Sequence, residues 1–548
     1  MTYQALYAQN QRSHYYCAGN VAREDAVQST MQDVPLTVTR ILVHGVLVHG
    51  TSRITTWTGE GEPQRRSFAE AGIRAVQLAN ALRDDLAVQG GDRVATLMWN
   101  NAEHVEAYFA IPSMGAVLHT LNLRLPAEQL VWIVNHAADK VVIVNGSLLP
   151  LLAPLLPKLP TVEHVVVSGP GDRSLLDGAR ARVHDYEELI AGRPTTFDWP
   201  DIDERQAAAM CYTSGTTGVP KGAMHFHREM IATCETFARH VLEPRADDRF
   251  IGSPPLAFTF GFGGHALFPL WAGASTVLIE RAGPDDLLTA IPKYGATTLF
   301  TAPTAYRVLL SKMPPGGLPT LRLCVSAGET LPAATFEAWR KATGISILDG
   351  LGSTEMLHIF VAARPSEMRA GATGKAVPGY EAKIIDENGA DVADGTPGRL
   401  AVRGPTGCKY LADPRQTNYV QNGWNVTGDT YVRDADGYFH YQARSDDMIV
   451  SAGYNIGGPE VEAALLLHEA VAECAVIGWP DAARGMIVKA FVVLRQGFAG
   501  DAAMVEALQN HAKATIAPYK YPRAVEFREA LPKTPTGKLQ RFKLREGA

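Results

Sequence analysis

A loop rich in glycine and hydroxyl side chains, residues 212–222, is the stretch of this sequence best suited to bind phosphate. It reads Tyr-Thr-Ser-Gly-Thr-Thr-Gly-Val-Pro-Lys-Gly and follows an apolar run typical of a buried strand. The glycines let the backbone present successive N–H groups to an anion, and Lys221 adds a positive charge. A flexible surface loop is the alternative, and the absence of a G-x-x-x-x-G-K-[ST] pattern excludes a Walker loop. The predicted phosphate-binding residues are Thr213, Ser214, Gly215, Thr216, Thr217 and Gly218.

A second stretch with chemical potential, residues 350–355, reads Gly-Leu-Gly-Ser-Thr-Glu and follows a predicted strand. The hydroxyl group of Thr354 could contact a phosphate, and the carboxylate of Glu355 could bind Mg²⁺, which takes oxygen ligands. The alternative is that Ser-Thr-Glu simply caps a helix. A phosphate loop in the same chain favours the ligand-binding interpretation.

These motifs resemble those of the adenylate-forming superfamily, which comprises acyl-CoA synthetases, peptide-synthetase adenylation domains and luciferases. The phosphate loop matches the family's signature nearly letter for letter, and further motifs follow in the family's order over residues from about 31 to 545. The resemblance implies ATP, Mg²⁺ and coenzyme A as cofactors. It also implies that the catalytic residues are Lys221, Thr354, Glu355 and Lys538, with Glu355 as the metal ligand.

The resemblance also assigns residues around the nucleotide. Asp429, which ends Gly-Trp-Asn-Val-Thr-Gly-Asp, would accept hydrogen bonds from both ribose hydroxyl groups, because a carboxylate offers several acceptor sites. An aspartate in an ordinary β-turn is the alternative. Arg444 would add a second ribose or phosphate contact. Leu351 stands where many relatives have an aromatic side chain against the adenine, and an aliphatic side chain can still pack there. The remaining predicted nucleotide-binding residues are Gly328, Glu329, Gly350 and Gly352.

Three features of the C-terminal part carry the rest of the predicted chemistry. Lys538 ends Pro-Lys-Thr-Pro-Thr-Gly-Lys and, by the resemblance, bridges the carboxylate and the α-phosphate, with a solvated lysine as the alternative. The loop with Gly453 and Tyr454 resembles the segment that meets the thiol substrate, with a plain strand-turn-helix connection as the alternative. Asp446 is the predicted hinge, because Lys538 and this loop cannot both face one active site if they lie on opposite faces.

The implied reaction has two halves. A carboxylate attacks the α-phosphorus of ATP to give acyl-AMP and pyrophosphate, and the thiol of coenzyme A then displaces AMP. Two alternatives remain open, a catalytically impaired AMP-binding protein and a ligase that loads a carrier-protein thiol. Retention of Lys221, Glu355, Asp429 and Lys538 argues against the first, and the lack of a fused carrier domain argues against the second.

The acid is predicted from segments that follow the phosphate loop and that resemble benzoate and 2-aminobenzoate CoA ligases. Residues 31–211 look more like bacterial medium-chain fatty-acyl-CoA ligases, so the chain is interpreted as a mosaic and a medium-chain fatty acid stays the alternative substrate. Phe258 and Phe260 could instead be core residues, and a neutral core histidine is as compatible with His358 as a substrate contact. The predicted acid pocket consists of Ala257, Phe258, Ala327, His358 and Ile359.

The order of periodic segments predicts an α/β protein. Helical and apolar strand segments alternate from residue 68 to 348, which indicates two α/β layered subdomains with mainly parallel sheets. Short alternating strands over residues 372–443 predict a small β-barrel, and residues 447–548 predict a small mobile α+β domain. We therefore expect a poorly ordered extension at 1–30, a large AMP-binding domain at 31–444, a hinge at 445–446 and a C-terminal domain at 447–548.

Composition narrows the class of protein further. A formal net charge of −6 with scattered basic residues gives no support for nucleic-acid binding. Six cysteines without metal-ligand spacing, and no segment like a secretion signal, favour a cytoplasmic protein. The most apolar tract, residues 148–159, contains three prolines and predicts no membrane span. The expected partners are a small carboxylic acid, ATP and CoA, with a homodimer as one option for the oligomeric state.

Substitution of Lys538 by alanine tests the two-step scheme. We predict that Lys538→Ala slows adenylation by about 10² to 10³-fold, because one charge contact to the transition state is lost. Thioesterification from supplied acyl-AMP should stay close to the wild-type rate. Both half-reactions are measured separately, by pyrophosphate release and by acyl-CoA formation. Equal losses in the two halves would contradict the role assigned to this lysine.

Overall fold

The computed structural model describes residues 34–213, 219–444, 447–451, 454–481, 485–533 and 539–545. The chain divides into two compact units. The first consists of Met1–Cys234, Arg245–Asp247 and His265–Glu280, and the second of Glu235–Pro244, Asp248–Gly264 and Arg281–Ala548. Among the described residues, no helix is both long enough and apolar enough to cross a membrane.

A seven-stranded sheet forms the core of the first unit. All its neighbouring strands are parallel except the last pair, which is antiparallel. Its inner strands are apolar and buried along their length, as expected for a parallel sheet covered on both faces. In order across the sheet the strands are Arg182–Asp185, His164–Ser168, Val141–Asn145, Arg93–Leu97, Val117–Thr120, Ala207–Thr213 and Lys221–Phe226.

The first unit also contains a smaller strand group and a set of helices. Arg53–Trp57 pairs with Ser275–Ile279 in parallel and with Gln64–Ser67 in an antiparallel hairpin. The helix that follows this hairpin begins at a capping box, in which Ser67 accepts from the Glu70 amide and Glu70 accepts from the Ser67 amide. The α-helices are Val38–Val48, Phe68–Asp84, Ala102–Ser113, Ala127–Ala137, Leu149–Leu152, Tyr186–Ile190, His227–Thr233 and Phe268–Ala272.

In the second unit, a mainly parallel strand group comes first. Arg249–Gly252, Thr298–Thr301, Leu323–Ala327 and Ile347–Gly352 are parallel neighbours, and Ile359–Ala362 and Lys375–Ala376 continue the group as antiparallel strands. The carboxyl ends of the four parallel strands therefore share one edge, where ligands bind in α/β proteins. The helices in this part are Thr259–Phe262, Pro284–Tyr294, Pro303–Ser311 and Ala333–Thr343. Two π-helical segments, Cys234–Leu242 and Gly263–Leu267, also contribute residues to this unit.

The rest of the second unit contains two antiparallel-rich sheets. The first has the strands Glu381–Ile385, Gly398–Arg403, Val420–Gln421, Trp424–Arg433 and Phe439–Arg444, with the helix Gln416–Tyr419. The second has Ile449–Ser451, Tyr454–Ile456, Val471–Asp481, Gly485–Leu494 and Ala524–Phe527. Its helices are Gly458–Leu465, Ala502–Thr515 and Arg541–Arg545, and fully buried side chains such as Val461, Val492 and Leu508 form its core.

The helix and strand alternation predicted from the sequence is confirmed. For example, the predicted helix 102–112 is Ala102–Ser113, and the predicted strand 345–348 is Ile347–Gly352. The segment predicted as a small β-barrel corresponds to the five-stranded antiparallel sheet. The predicted extension 1–30 and the predicted hinge 445–446 lie outside the described residues, so the proposed domain boundaries stay predictions.

Candidate active site

Two parallel strands bring several predicted nucleotide-binding residues to one edge of the second unit. Ala327 at the end of Leu323–Ala327 is in register with Gly350 of Ile347–Gly352. Gly328 follows directly with φ of +88°, a conformation that favours glycine. Glu329 then accepts a hydrogen bond from the Thr304 hydroxyl group at 2.6 Å. The two motifs, far apart in sequence, therefore meet at the carboxyl ends of neighbouring strands.

The glycines at 350 and 352 are required by a close approach of the returning chain. A Cβ atom at Gly350 would lie 2.5 Å from the Ile359 side chain, and one at Gly352 would lie 2.8 Å from the His358 carbonyl oxygen. The returning strand pairs with this one antiparallel, with an irregularity between Leu351 and Gly352. Side-chain-free positions thus allow the nucleotide-binding motif and the predicted acid pocket to lie against one another.

Thr354 and Glu355 lie on a short 3₁₀ turn directly after this strand. Ser353 caps the turn, because its hydroxyl oxygen accepts a hydrogen bond from the Met356 amide at 3.3 Å. The capping alternative raised by the sequence is therefore correct for Ser353. Glu355 has a different partner, since the Tyr410 hydroxyl group donates to its Oε1 atom at 2.7 Å. Burial and the charge of Glu355 raise the pKa of Tyr410, so its hydroxyl group stays a donor.

Between Glu355 and His358 the backbone reverses direction at Leu357. This buried residue has φ of +68°, which is unfavourable for a leucine and is found mostly where surrounding structure enforces it. Glu355, before the reversal, is half-buried, whereas His358 and Ile359, after it, are buried. Such strained positions are frequent at functional sites.

His358 is the polar member of a buried aromatic cluster. Its ring lies 5.1 Å from the ring of Phe237 and 5.9 Å from that of Phe260, and Phe260 lies 5.4 Å from Phe300. Burial lowers the pKa of His358 to about 3, so the imidazole is neutral at neutral pH. Phe250 stacks on Phe300 at 5.8 Å and extends the cluster. We call these five residues the aromatic cluster.

The other predicted acid-pocket residues lie on segments that adjoin the aromatic cluster. Ala257 is buried and Phe258 is half-buried, and both directly precede the helix that carries Phe260. Ala327 and Ile359 are buried at 6% and 1% exposure. The alternative of plain core packing fits Phe300 and Phe237, which are fully buried, better than it fits Phe258 and Phe260.

Asp429 and Arg444 lie opposite each other on neighbouring antiparallel strands. The Arg444 Nη1 atom donates to the Asp429 Oδ1 atom at 3.2 Å. Gly428 makes room for this guanidinium group, because a Cβ atom there would lie 2.4 Å from Nη2. The structure thus brings the two predicted ribose-binding residues together as an ion pair.

Asp349 is a buried carboxyl group beside the candidate site that the sequence alone did not indicate. It precedes Gly350, is 8% exposed and is in register with Ser326. Burial raises its pKa to about 7. Among the described residues its Oδ1 atom has no hydrogen-bond partner. Burial raises the pKa of the Tyr431 hydroxyl group, and the charges of Asp429 and Asp349 raise it further.

The flanks of the phosphate loop belong to the first unit. Thr213 and Lys221 face each other across the antiparallel pair that the loop connects, and Lys221 is 5% exposed. Gly222 allows the Tyr212 ring to lie over the backbone, because a Cβ atom at Gly222 would come within 2.9 Å of that ring. The Tyr212 hydroxyl group is hydrogen bonded to His136 Nδ1 at 2.7 Å. This pair of strands anchors both ends of the predicted phosphate loop.

Several predicted site residues lie outside the described residues: Ser214, Gly215, Thr216, Thr217, Gly218, Asp446, Gly453 and Lys538. For Tyr454 the backbone is described, in the strand Tyr454–Ile456. The roles assigned to all of these residues stay predictions.

Tyr410 was also missed by sequence reasoning. It lies 55 residues after Glu355, in a loop without a recognised motif. Contacts at such separations cannot be read from periodicity.

Comparison with known proteins places the chain in a family. A model described as AMP-binding enzyme matches residues 47–410, and one described as AMP-binding enzyme C-terminal domain matches residues 460–538. The fold matches that of solved adenylate-forming enzymes. The chain therefore belongs to the AMP-binding enzyme family.

Individual relatives agree with this assignment over most of their length. Benzoate–CoA ligase of Thauera aromatica is 37% identical over 485 residues, which cover 87% of this chain and 90% of the relative. The crystal structure of an anthranilate CoA ligase in complex with anthranoyl-AMP has a TM-score of 0.87 at 36% identity, covering 94% of this chain and 98% of that one. A mitochondrial acyl-coenzyme A synthetase of Mus musculus is 32% identical and covers 89% of this chain and 85% of the relative.

The chain is accordingly an acid–thiol ligase of the AMP-forming type that acts on a small carboxylic acid with ATP, Mg²⁺ and coenzyme A. Glu355 is the carboxylate of the second unit predicted to bind Mg²⁺. Among the described residues no group of three or more His, Cys, Asp or Glu side chains could hold a metal. A single carboxylate such as Glu355 suits Mg²⁺, which typically takes one or two protein carboxylates together with substrate phosphates and water.

The tight packing at Gly352 leads to a testable prediction. We expect Gly352→Ala to reduce kcat/KM for ATP by about 10²-fold. The added methyl group would lie 2.8 Å from the His358 carbonyl oxygen, so the backbone there must shift. Gly90→Ala is the matched control, since a Cβ atom there meets only the Gly115 carbonyl oxygen at an ordinary 3.7 Å. Initial rates of pyrophosphate release decide the outcome. Wild-type kinetics in Gly352→Ala would show that the close approach has no functional role.

Proposed function

We propose that this enzyme activates an aromatic acid of the benzoate or 2-aminobenzoate type and transfers it to coenzyme A. The observation that carries the proposal is the aromatic cluster, which includes His358 and adjoins the half-buried Phe258. A flat apolar ring with one carboxylate fits a wall of rings and a neutral imidazole. Relatives named for benzoate and anthranilate support the same substrate class.

The carboxylate of the substrate needs a different environment from its ring. In the proposed arrangement the ring lies on the His358 and Ile359 side of the reversal at Leu357, and the carboxylate points to the Glu355 side. Only Met356 and Leu357, with its positive φ, lie between Glu355 and His358 along the chain. One turn of the chain therefore orients the acid towards the α-phosphorus.

Charge neutralisation is the main catalytic requirement, because an anionic carboxylate approaches a polyphosphate. Bound Mg²⁺ supplies positive charge at the phosphates. Glu355 holds it, Thr354 contacts a phosphate, and Lys221 and Lys538 add positive charge where the transition state becomes negative. Asp429 and Arg444 fix the ribose. Each of these assignments is a proposal for this chain that rests on the residue types and their placement.

Asp349 is proposed to accept a hydrogen bond from the adenine amino group. Its Oδ1 atom has no partner among the described residues, and it lies at the start of the motif that carries Leu351. Buried carboxylate oxygens without partners are costly, so a ligand donor is a favourable complement. In this arrangement the aliphatic Leu351 packs on the face of the adenine ring, and Asp349 accepts a hydrogen bond at its edge.

A medium-chain fatty acid is the second candidate substrate. Resemblance of residues 31–211 to fatty-acyl-CoA ligases favours it, and the mouse acyl-coenzyme A synthetase is a match over most of the chain. The mosaic origin inferred from these two resemblances stays a prediction. A fatty acid gains about 0.8 kcal/mol per buried methylene if a tunnel is open, whereas each immobilised rotor costs binding free energy.

A cytoplasmic location is part of the proposal. The five described cysteines, Cys211, Cys234, Cys324, Cys408 and Cys474, form no disulfide with one another. Reduced thiols are typical of the cytoplasm.

A side-by-side comparison of three acids tests the proposed substrate specificity. We expect kcat/KM for benzoate or 2-aminobenzoate to exceed that for octanoate, because a rigid ring loses less conformational entropy in a walled pocket. The three acids are compared side by side by ATP-dependent pyrophosphate release. Octanoate ahead by about tenfold, as an open tunnel would produce, refutes the aromatic assignment in favour of the fatty-acid alternative.

Titration of Asp349 predicts a pH dependence of ATP binding. With a pKa of about 7, its carboxylate changes from mostly ionised at pH 8 to mostly protonated at pH 6. The ionised form is the better hydrogen-bond acceptor. KM for ATP should therefore rise about tenfold as the pH falls from 8 to 6. Asp349→Asn should flatten the profile, since the amide does not titrate. Identical profiles of wild type and variant would remove Asp349 from the adenine site.

A further inference from the structure

Tyr410 is joined to the predicted metal ligand by a direct hydrogen bond. Its hydroxyl group donates to Glu355 Oε1 at 2.7 Å, across 55 residues of sequence. Tyr410 is 5% exposed and Glu355 is half-buried. Among the described residues, the second carboxylate oxygen of Glu355 takes part in no hydrogen bond. One oxygen is therefore occupied, and the other is left for a ligand.

Tyr410 is itself held from two directions. Its backbone amide donates to Gln416 Oε1 at 2.8 Å, and Gln416 Nε2 donates to the Cys408 carbonyl oxygen at 2.9 Å. Its ring packs edge-on against Tyr419 with the ring centroids 5.6 Å apart. The helix Gln416–Tyr419 thus fixes both the main chain and the ring, so the hydroxyl group has a defined position.

The turn that carries Glu355 is fastened to the same segment at a second point. The Thr406 hydroxyl group donates to the Met356 carbonyl oxygen at 2.8 Å, in a buried position. Tyr380 is hydrogen bonded to the Thr406 hydroxyl oxygen at 3.0 Å. The backbone next to Glu355 and its side chain are therefore both held by residues 406–410.

Holding this carboxylate matters because a glutamate has three side-chain torsions. An unrestrained glutamate must lose rotamer freedom when it binds a metal, and this loss of conformational entropy weakens binding. A hydrogen bond formed in advance removes part of that cost. Partners behind metal ligands have this effect in general, and their loss typically weakens metal binding or activity by about 10–100-fold.

We propose that Tyr410 is a positioning residue for the magnesium site, which holds Glu355 with Oε1 engaged and Oε2 directed to the metal. The proposal rests on the proposed role of Glu355 as metal ligand and extends it to a residue outside the family motifs used above. Tyr410 touches neither substrate nor metal in this scheme. It acts only through the carboxylate.

Metal binding in the absence of acid substrate gives the direct test. Enzyme with ATP is titrated with Mn²⁺, and free Mn²⁺ is followed by electron paramagnetic resonance. We expect Tyr410→Phe, which keeps the ring and removes the hydroxyl group, to weaken Mn²⁺ binding by about tenfold. The control is Tyr438→Phe, which removes the hydrogen bond of another buried tyrosine to the Glu367 carbonyl oxygen, and should bind Mn²⁺ as wild type does.

A double-mutant cycle separates positioning from a general structural effect. If Tyr410 acts through Glu355, Tyr410→Phe combined with Glu355→Gln binds Mn²⁺ no more weakly than Glu355→Gln alone. Additive losses, or wild-type affinity in Tyr410→Phe, overturn the proposal. Should Tyr410→Phe fail to fold, Gln416→Ala provides the second variant, because it loosens Tyr410 and leaves its hydroxyl group in place; unchanged Mn²⁺ affinity there would also count against the proposal.

The outcome does not depend on the identity of the acid. Mn²⁺ binding with ATP is measured before any carboxylate is added, so an incorrect aromatic assignment leaves the result unaffected. If Glu355→Gln itself binds Mn²⁺ like wild type, the metal-ligand role is wrong. That result is distinct from one in which Glu355 matters and Tyr410 does not.

Discussion

The pairing of Ile347–Gly352 with its two neighbours is the constraint on which the candidate site depends. On one side the parallel register sets Ala327 beside Gly350, and on the other the returning strand presses His358 and Ile359 against Gly350 and Gly352. Because the side chains there are absent, two binding surfaces can share one strand end. The strained Leu357 then turns the chain between them. In the proposed site, backbone geometry therefore brings the predicted nucleotide motif and the predicted acid pocket together.

Burial decides which charges this region carries. His358 is neutral because burial among aromatic rings lowers its pKa to about 3, whereas burial raises the pKa of Asp349 to about 7. Glu355 and Asp429 are less enclosed and each has a hydrogen-bonding partner, Tyr410 and Arg444 respectively. The same unit can therefore offer an apolar wall to a ring and anionic groups to a metal and a ribose. Burial disfavours the charged form of a side chain, and a hydrogen-bonding or charged partner favours it, so neighbouring residues can differ in charge.

The sequence predicted the fold well where periodicity and turn residues act locally. Helices such as Phe68–Asp84 and strands such as Val141–Asn145 follow from apolar spacing alone. Glycine-rich loops after strands gave the predicted phosphate and nucleotide sites. The resemblance assigned Asp429 and Arg444 separately to the nucleotide, and the strand register places the two residues opposite each other. Tyr410 and Asp349 were not predicted, because the roles proposed for them rest on a contact 55 residues away and on burial in a sheet. Such effects leave no periodic trace.

The aromatic cluster shows why substrate specificity is harder to predict than reaction type. The reaction type rests on motifs, since each phosphate, metal or ribose contact needs a particular polar group near a particular turn. The cluster is assembled from Phe237, Phe250, Phe260, Phe300 and His358, which come from a π-helical segment, two strands, a short helix and the turn after a third strand. Each of these residues alone is an ordinary core residue. Only their position next to one another suggests the wall of an acid pocket. If this cluster forms the wall of the acid pocket, as proposed, a change of acid can arise from repacking at any of these segments while every catalytic motif stays intact.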